Sequence, residues 1–253
     1  MKVVQPAQER KAKMTVAMEM DDFEATRGSP TAMVHAGNAL DLSPCATAPE
    51  SMRDYWGRFG FSVFRDGWFQ FVNPSDYAPA VVAWLEGTEL DGSDEYMAVT
   101  RNAFGELNVW GAKKGFAFSI AVLMDGIMLN EKNDEQAIRQ GNGNRRAESL
   151  MWSEKVRPLD KASANQSISV RMFQAAQKRL GPLGSNQMYG FVPALPLGGR
   201  IDADTLQIVD APEHLAMLAG LSTRKILTFD DIATRAFGDD AVPDARKMRD
   251  NQS

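Results

Sequence analysis

Residues 55–77 read YWGRFGFSVFRDGWFQFVNPSDY and hold nine of the chain's 22 aromatic side chains. Such a density fits a ligand site, a platform for stacking bases, or the seed of a hydrophobic core. Spacing separates these readings. Met52, Tyr55, Trp56 and Phe59 fall at i, i+3, i+4 and i+7, one face of a helix. Pro49 suits the first turn of that helix, and Gly60 can take the left-handed backbone that stops it. Beyond Gly60 the period shortens. FSVFRDGWFQFV clusters or alternates its apolar residues around Asp66-Gly67, a hairpin signal. A helix stripe and an adjoining hairpin that present rings to the same side are expected to pack together as core. A base-stacking platform needs interleaved cations, and only Arg53, Arg58 and Arg65 are at hand, in acidic company.

Working outward, residues 73–87 (NPSDYAPAVVAWLEG) read as a helix capped by Ser75 or Asp76 and stopped by Gly87. Residues 95–102, 107–112 and 115–124 read as strands divided by glycine-containing turns. With the hairpin they predict an α+β domain, an antiparallel sheet of roughly four or five strands with helices against one face. Upstream, residues 18–28 predict a short first helix, and 29–50, which lack any period, a loop. The first thirteen residues, with Lys2, Arg10, Lys11 and Lys13 and little apolar content, read as a basic arm, which is expected to extend over 1–19.

Downstream, the charged segment 131–160 contains Gly-Asn-Gly-Asn at 141–144 and reads as a junction with one or two short helices. In SISVRMFQAAQKRLG, Ile168, Met172, Phe173, Ala176 and Leu180 share one helical face, with Lys178 and Arg179 in the last turn before Gly181. Strands are expected in MYGFVPAL and TLQIVD, and helices in APEHLAMLAGL, with Asp210 and Pro212 at its start, and in TFDDIATRAF. The predicted organisation is a first domain over 20–130, the junction, a second and smaller α+β domain over 161–238, and a polar tail over 239–253.

At 253 residues, 44% hydrophobic and 24% charged, the chain is in the ordinary globular range. It contains no apolar run of the roughly 18 residues that a membrane helix needs, and its N-terminus does not read as a secretory signal. Its single cysteine, Cys45, excludes an intramolecular disulfide and a multi-cysteine zinc site. A cytoplasmic protein is the expectation. A net charge of −5 argues against a nucleic-acid binder and suits a basic partner.

Catalytic chemistry has little to build on. His35 and His214 are the only histidines, and no serine lies in a nucleophile elbow. Cys45 sits in a loop without an orienting strand or helix. No H-E-x-x-H or C-x-x-C pattern occurs, and Asp91 to Glu95 (DGSDE) lacks calcium-loop spacing. The glycine clusters complete no phosphate-binding motif and read as turns. Charge is more informative. From Glu86 to Glu106 there are six carboxylates against Arg101 alone. One reading is a solvated edge that discourages strand pairing; the other is an acidic patch that docks on a basic partner, in the place of nucleic-acid phosphate.

Two passages resemble known families. DYWGRFGFSVFRDGWFQFVNPSDYAPAVVAWL (54–85) is similar to the opening of GAD-like domains: a helix ending in Tyr-Trp, then Phe-Gly, Asp-Gly, Asn-Pro and Asp-Tyr. GPLGSNQMYGFVPALPLGGRIDADTLQIVDAPEHLAMLAGL (181–221) resembles the small domain that follows it in type VI secretion immunity proteins. Its most specific elements are Tyr189 to Leu195, the Leu-Gly-Gly turn and the Glu-His-Leu helix. The resemblance spans about 20–125 and 160–238; the basic arm and Gly141–Arg146 lie outside it. It implies a non-enzymatic antitoxin without catalytic residues, cofactor or metal, which binds a cognate DNase toxin and occludes its active site or substrate cleft. The candidate toxin-binding residues are Glu89, Asp91, Asp94, Glu95 and Glu106, with Trp110 as an anchor whose competing reading is core. The rival function is a regulatory or scaffold module that binds a small ligand or a non-toxin protein between its halves. A third is an enzyme using His214 with a nearby carboxylate.

Overall fold

In a computed structural model of the chain, which describes residues 18–130, 134–152, 168–228, 230–232 and 234, all nine rings of the opening stretch are buried. Helix α2 (Glu50–Phe59) lays Met52, Tyr55, Trp56 and Phe59 on the sheet, and Gly60 ends it with φ at 65°. The hairpin follows as β1 (Val63–Phe64) and β2 (Phe69–Phe71). Its turn differs from a two-residue Asp-Gly turn: Arg65 and Asp66 both hold positive φ, at 50° and 57°. A non-glycine residue in that region needs compensation. Arg65 has it, because its guanidinium donates to the carbonyls of Thr26 and Arg27, at the end of α1 (18–27). The hairpin turn thereby caps the C-terminus of α1, where unpaired carbonyls favour a cation.

Helix α3 (Pro74–Leu85) starts one step earlier than its expected caps. With Pro74 at the first helical position, the cap is Asn73, whose side-chain oxygen accepts from the Ser75 N–H at 3.2 Å. Strands β3 (Tyr96–Asn102), β4 (Leu107–Gly111), β5 (Gly115–Ala121) and β6 (Gly126–Leu129) follow, then two short helices, α4 (Glu135–Arg139) and α5 (Gly143–Met151). Beyond them come α6 (Ile168–Leu180), the antiparallel pair β7 (Gln187–Phe191) and β8 (Leu206–Asp210), α7 (Ala211–Leu221) and β9 (Ile226–Leu227). Asp210 caps α7 by accepting from the Glu213 N–H at 3.0 Å. Among the described residues no helix is long and apolar enough to cross a membrane.

The main sheet has seven strands in the order β1-β2-β3-β4-β5-β6-β9, antiparallel except for the last pair. Helices cover both of its faces, where sequence predicts one. The reason lies in β3 and β4, whose residues are buried on both sides, the pattern of a central strand between two layers. Met97, Val99 and Trp110 face the aromatic core with α1, α2 and α5. Ala98, Leu107 and Val109 face the opposite core with α3 and α7.

The two halves of the chain share both cores. Phe173, Tyr189 and Leu206 join the first, and Met188, Leu215 and Leu218 the second. Strand β9 extends the sheet of the first half by pairing with β6. A Cβ at Gly126 would stand 2.7 Å from the Lys225 carbonyl oxygen, so a bare backbone at that position lets β9 approach. Arg101 is fully buried and donates to Tyr77 Oη, Gln70 Oε1 and the carbonyls of Asn102 and Gln187. Trp84 Nε1 donates to the Leu215 carbonyl at 2.9 Å, and the Tyr189 N–H to that of Ala103.

One contact in this packing is charge-sensitive. Burial, a hydrogen bond to the Glu19 carboxyl and the charge of that group push the Glu148 carboxyl up to about 7. A carboxyl whose pKa is raised on folding binds its proton more tightly in the native state, so its stabilising effect is complete below pH 4.5 and fades as pH rises through 7. Glu148→Gln, which mimics the protonated form, is expected to raise the melting temperature at pH 8 and leave it unchanged at pH 4.5. A thermal melt at the two pH values checks this.

Candidate functional site

The acidic segment becomes the connection from α3 to β3. Leu90 is buried and pins it to the core, while Glu89, Asp91 and Glu95 face solvent. The loop is locally ordered. Thr88 Oγ1 donates to the Leu85 carbonyl, Ser93 Oγ to the Leu90 carbonyl, and Asp91 Oδ2 accepts from the Gly87 N–H. Asp94 turns inward: its carboxylate accepts from the backbone N–H groups of Glu95, Lys113 and Lys114 at 2.8–3.1 Å. It therefore organises the β4–β5 turn, and its charge meets three amide donors before it meets any partner.

Glu106 is not part of this group. It lies at the other end of the β3–β4 hairpin, about 20 Å away for a seven-residue strand. There its Oε2 accepts from Asn102 Nδ2 at 3.0 Å. Burial pushes its pKa up, and the Asn102 bond offsets part of that shift. Trp110 is 3% exposed and packs in the aromatic core. The structure thus gathers Glu89, Asp91, Asp94 and Glu95 on one loop, sets Trp110 in the core beside its end, where it lines a cavity together with Glu95, and separates Glu106 from them. Arg101, the one cation within the acidic run, is withdrawn into the interior. Glu89 and Lys114 both line a groove of about 470 Å³, with Phe116, Leu129 and Glu135.

His214 is half-buried, and burial pushes its pKa down, which keeps the imidazole neutral. It lines a crevice between the halves with Trp84, Val122, Asp125, Met188 and Leu218. The free space there is about 10 Å³, on the scale of one water. This crevice is too small for an organic ligand, which weakens the small-molecule reading. Cys45 is buried and its thiol pKa is pushed up by that burial, so it lacks the thiolate character of a nucleophile. Among the described residues no group of three or more His, Cys, Asp or Glu side chains could hold a metal ion.

One further charged contact was not legible in sequence. Glu86, just past α3, pairs with Arg224 at 2.9 Å, and the same guanidinium donates to the Ala83 carbonyl. These residues are 138 positions apart, and nothing local signals their meeting.

The acidic loop thus carries outward carboxylates and is anchored on the second core by Leu90. Comparisons with known proteins agree in class. Residues 43–124 match the GAD-like domain family, and residues 156–222 match the family described as T6SS immunity protein Tdi1, C-terminal. The two matches follow one another along the chain and agree with the two-domain immunity-protein resemblance carried by its sequence. Among solved structures, the crystal structure of Atu4351 from Agrobacterium tumefaciens is similar in fold, with a TM-score of 0.60 at 23% identity over 78% of this chain and 86% of that one. No curated protein sequence matches the chain.

Proposed function

We propose that this chain is a cytoplasmic antitoxin that binds a cognate DNase toxin of the type VI secretion system and covers its active site or substrate cleft, catalysing no reaction itself. The observation that carries this reading is the succession of the two family matches along one chain. Shared cores support it physically, because halves fused in this way present one preorganised surface and lose little freedom on binding. Immunity requires that free toxin be negligible, a dissociation constant of nanomolar or below, about −12 kcal/mol. An interface of that quality buries on the order of 1,600 Å² and rests on a few anchors.

Glu89, Asp91 and Glu95 are the proposed electrostatic contacts, with Asp94 holding their loop. Glu106 and Trp110 support the hairpin behind them. A DNase must present a cationic surface to phosphate, and outward carboxylates would speed its capture. The test is co-expression with the product of the adjacent candidate toxin gene. Co-purification of the two proteins, and loss of plasmid cleavage by the toxin in the complex, are the expected results. A toxin that fails to co-purify, or cleaves DNA at its full rate when bound, would overturn the proposal.

A further inference from the structure

Register along β3 and β4 places four side chains around one opening. Met97 pairs with Trp110, and past the next pair, Tyr96 with Gly111, the Ala112 N–H continues the ladder by donating to the Glu95 carbonyl at 3.1 Å. Residues two apart on a strand share a face, so Glu95, Met97, Trp110 and Ala112 lie together on the side of the aromatic core. They line a cavity of about 190 Å³ with Pro44 and Thr47, from the segment before α2. Its floor is apolar, with Met97 and Trp110 both buried, and Glu95 and Ala112 stand at the solvent end. The surrounding backbone is held in place. Thr47 Oγ1 donates to the Pro44 carbonyl at 2.9 Å, and Asp94 fixes the turn beyond Ala112 through the Lys113 and Lys114 amides. Among the described residues no cation forms an ion pair with Glu95. Lys114, in the adjoining turn, donates instead to Ser93 Oγ at 3.1 Å and lies 5.8 Å from the centre of the Tyr96 ring.

We infer that this cavity is a socket for one basic side chain of the toxin, an arginine or lysine whose stem packs on Met97 and whose cation lies between the Trp110 ring and the Glu95 carboxylate. The inference rests on the function proposed above and adds the point at which the toxin is gripped. Size and chemistry together select the occupant. The space is below the roughly 300 Å³ of small-molecule sites, yet well above the 10 Å³ of the crevice at His214. A tryptophan ring below and a carboxylate at the rim suit a side chain that is apolar along its stem and positive at its tip. A neutral apolar side chain would cover the carboxylate and leave it unpaired, which is costly. A guanidinium fits best, because it stacks on an indole and donates two parallel bonds to a carboxylate. A DNA-cleaving protein carries such side chains where it grips phosphate. Glu89 and Asp91 do not line this cavity, so their effect on binding is steering alone.

The test follows association and dissociation of the full chain with a catalytically inactive form of the toxin from the adjacent gene. An enclosed cation beside its carboxylate holds a complex together, so Glu95→Gln is expected to speed dissociation by roughly thirtyfold or more, the scale of a lost hot spot. Glu89→Gln/Asp91→Asn, outside the cavity, is expected to slow association and flatten its salt dependence, with dissociation little changed. Ala112→Phe fills the mouth without touching the buried floor, and should speed dissociation to a similar degree. Thermal melts confirm that each variant folds. Unchanged dissociation in either Glu95→Gln or Ala112→Phe, with wild type binding, would overturn the socket and leave the proposed function standing. Failure of wild type to bind would overturn both. A lower melting temperature of free Glu95→Gln, with toxin dissociation unchanged, would assign the socket to a cation of this chain itself. Self-association of wild type that Ala112→Phe abolishes, with toxin binding intact, would assign it to a second copy. Either of these last results overturns the inference.

Discussion

Arg101→Ala is expected to lower the unfolding free energy by about 3–5 kcal/mol, the range seen when one partner of a buried charged network is removed. Among the described residues no carboxylate forms an ion pair with this guanidinium. It is held by oxygen acceptors alone: Gln70 Oε1 at 2.6 Å, the Gln187 carbonyl at 2.7 Å, the Asn102 carbonyl at 2.9 Å and Tyr77 Oη at 3.1 Å. These acceptors come from β2, β3, α3 and β7, so one side chain joins the sheet of the first half to the hairpin of the second. Its removal strands buried oxygens, each worth roughly 1–3 kcal/mol when left unpaired. Arg101→Lys keeps the charge but not the planar fork, and should fall between wild type and alanine. Arg101→Met fills the volume without the cost of dehydrating a cation, and should recover part of the loss. Urea unfolding gives the magnitudes, and hydrogen exchange gives the location, with the amides of β7 losing protection first. A loss below about 1 kcal/mol in the alanine variant would mean that the bridge does not hold the halves together.

Phe23→Ala is expected to cost a similar amount, about 3–5 kcal/mol. Phe23 is fully buried, and its ring lies 5.3–6.4 Å from those of Tyr55, Phe59, Phe64, Phe69, Phe71 and Trp152. It is thus the plug of the aromatic core, supplied from a helix upstream of the matched GAD-like residues. Arg65 holds the end of that helix. If α1 belongs to the cooperative unit, Phe23→Ala lowers global stability and Phe23→Leu costs clearly less. If α1 instead opens alone, global stability falls little and only the amides of 18–27 exchange faster. Chemical unfolding combined with hydrogen exchange separates these outcomes, and the six-ring contact predicts the first.

Much of this architecture was legible along the chain because its determinants are local. The spacing of Met52, Tyr55, Trp56 and Phe59 specifies a helix face whatever it packs against, and Gly60 ends the helix through its own backbone freedom. Asp210 and Pro212 mark the start of α7 in the same way. The two-domain resemblance was legible too, carried by contiguous signatures. The acidic loop was found by counting charge, yet counting treated Arg101 as a surface counter-ion and Glu106 as a neighbour of Glu95.

Those assignments depend on the third dimension. A strand carries residue 106 about 20 Å from residue 95, and the same strand turns Arg101 into an interior lined with oxygens. The second face of the sheet, the β6–β9 pairing and the shared cores arise from contacts between residues far apart in sequence, which no window of periodicity can register. The apolar faces of α3 and α7 show the difference plainly. Sequence reveals that both helices are apolar nearly all round, which ordinarily means burial on every side. Only the packing shows that one side of each stays in water, because the sheet can cover a helix from one direction alone.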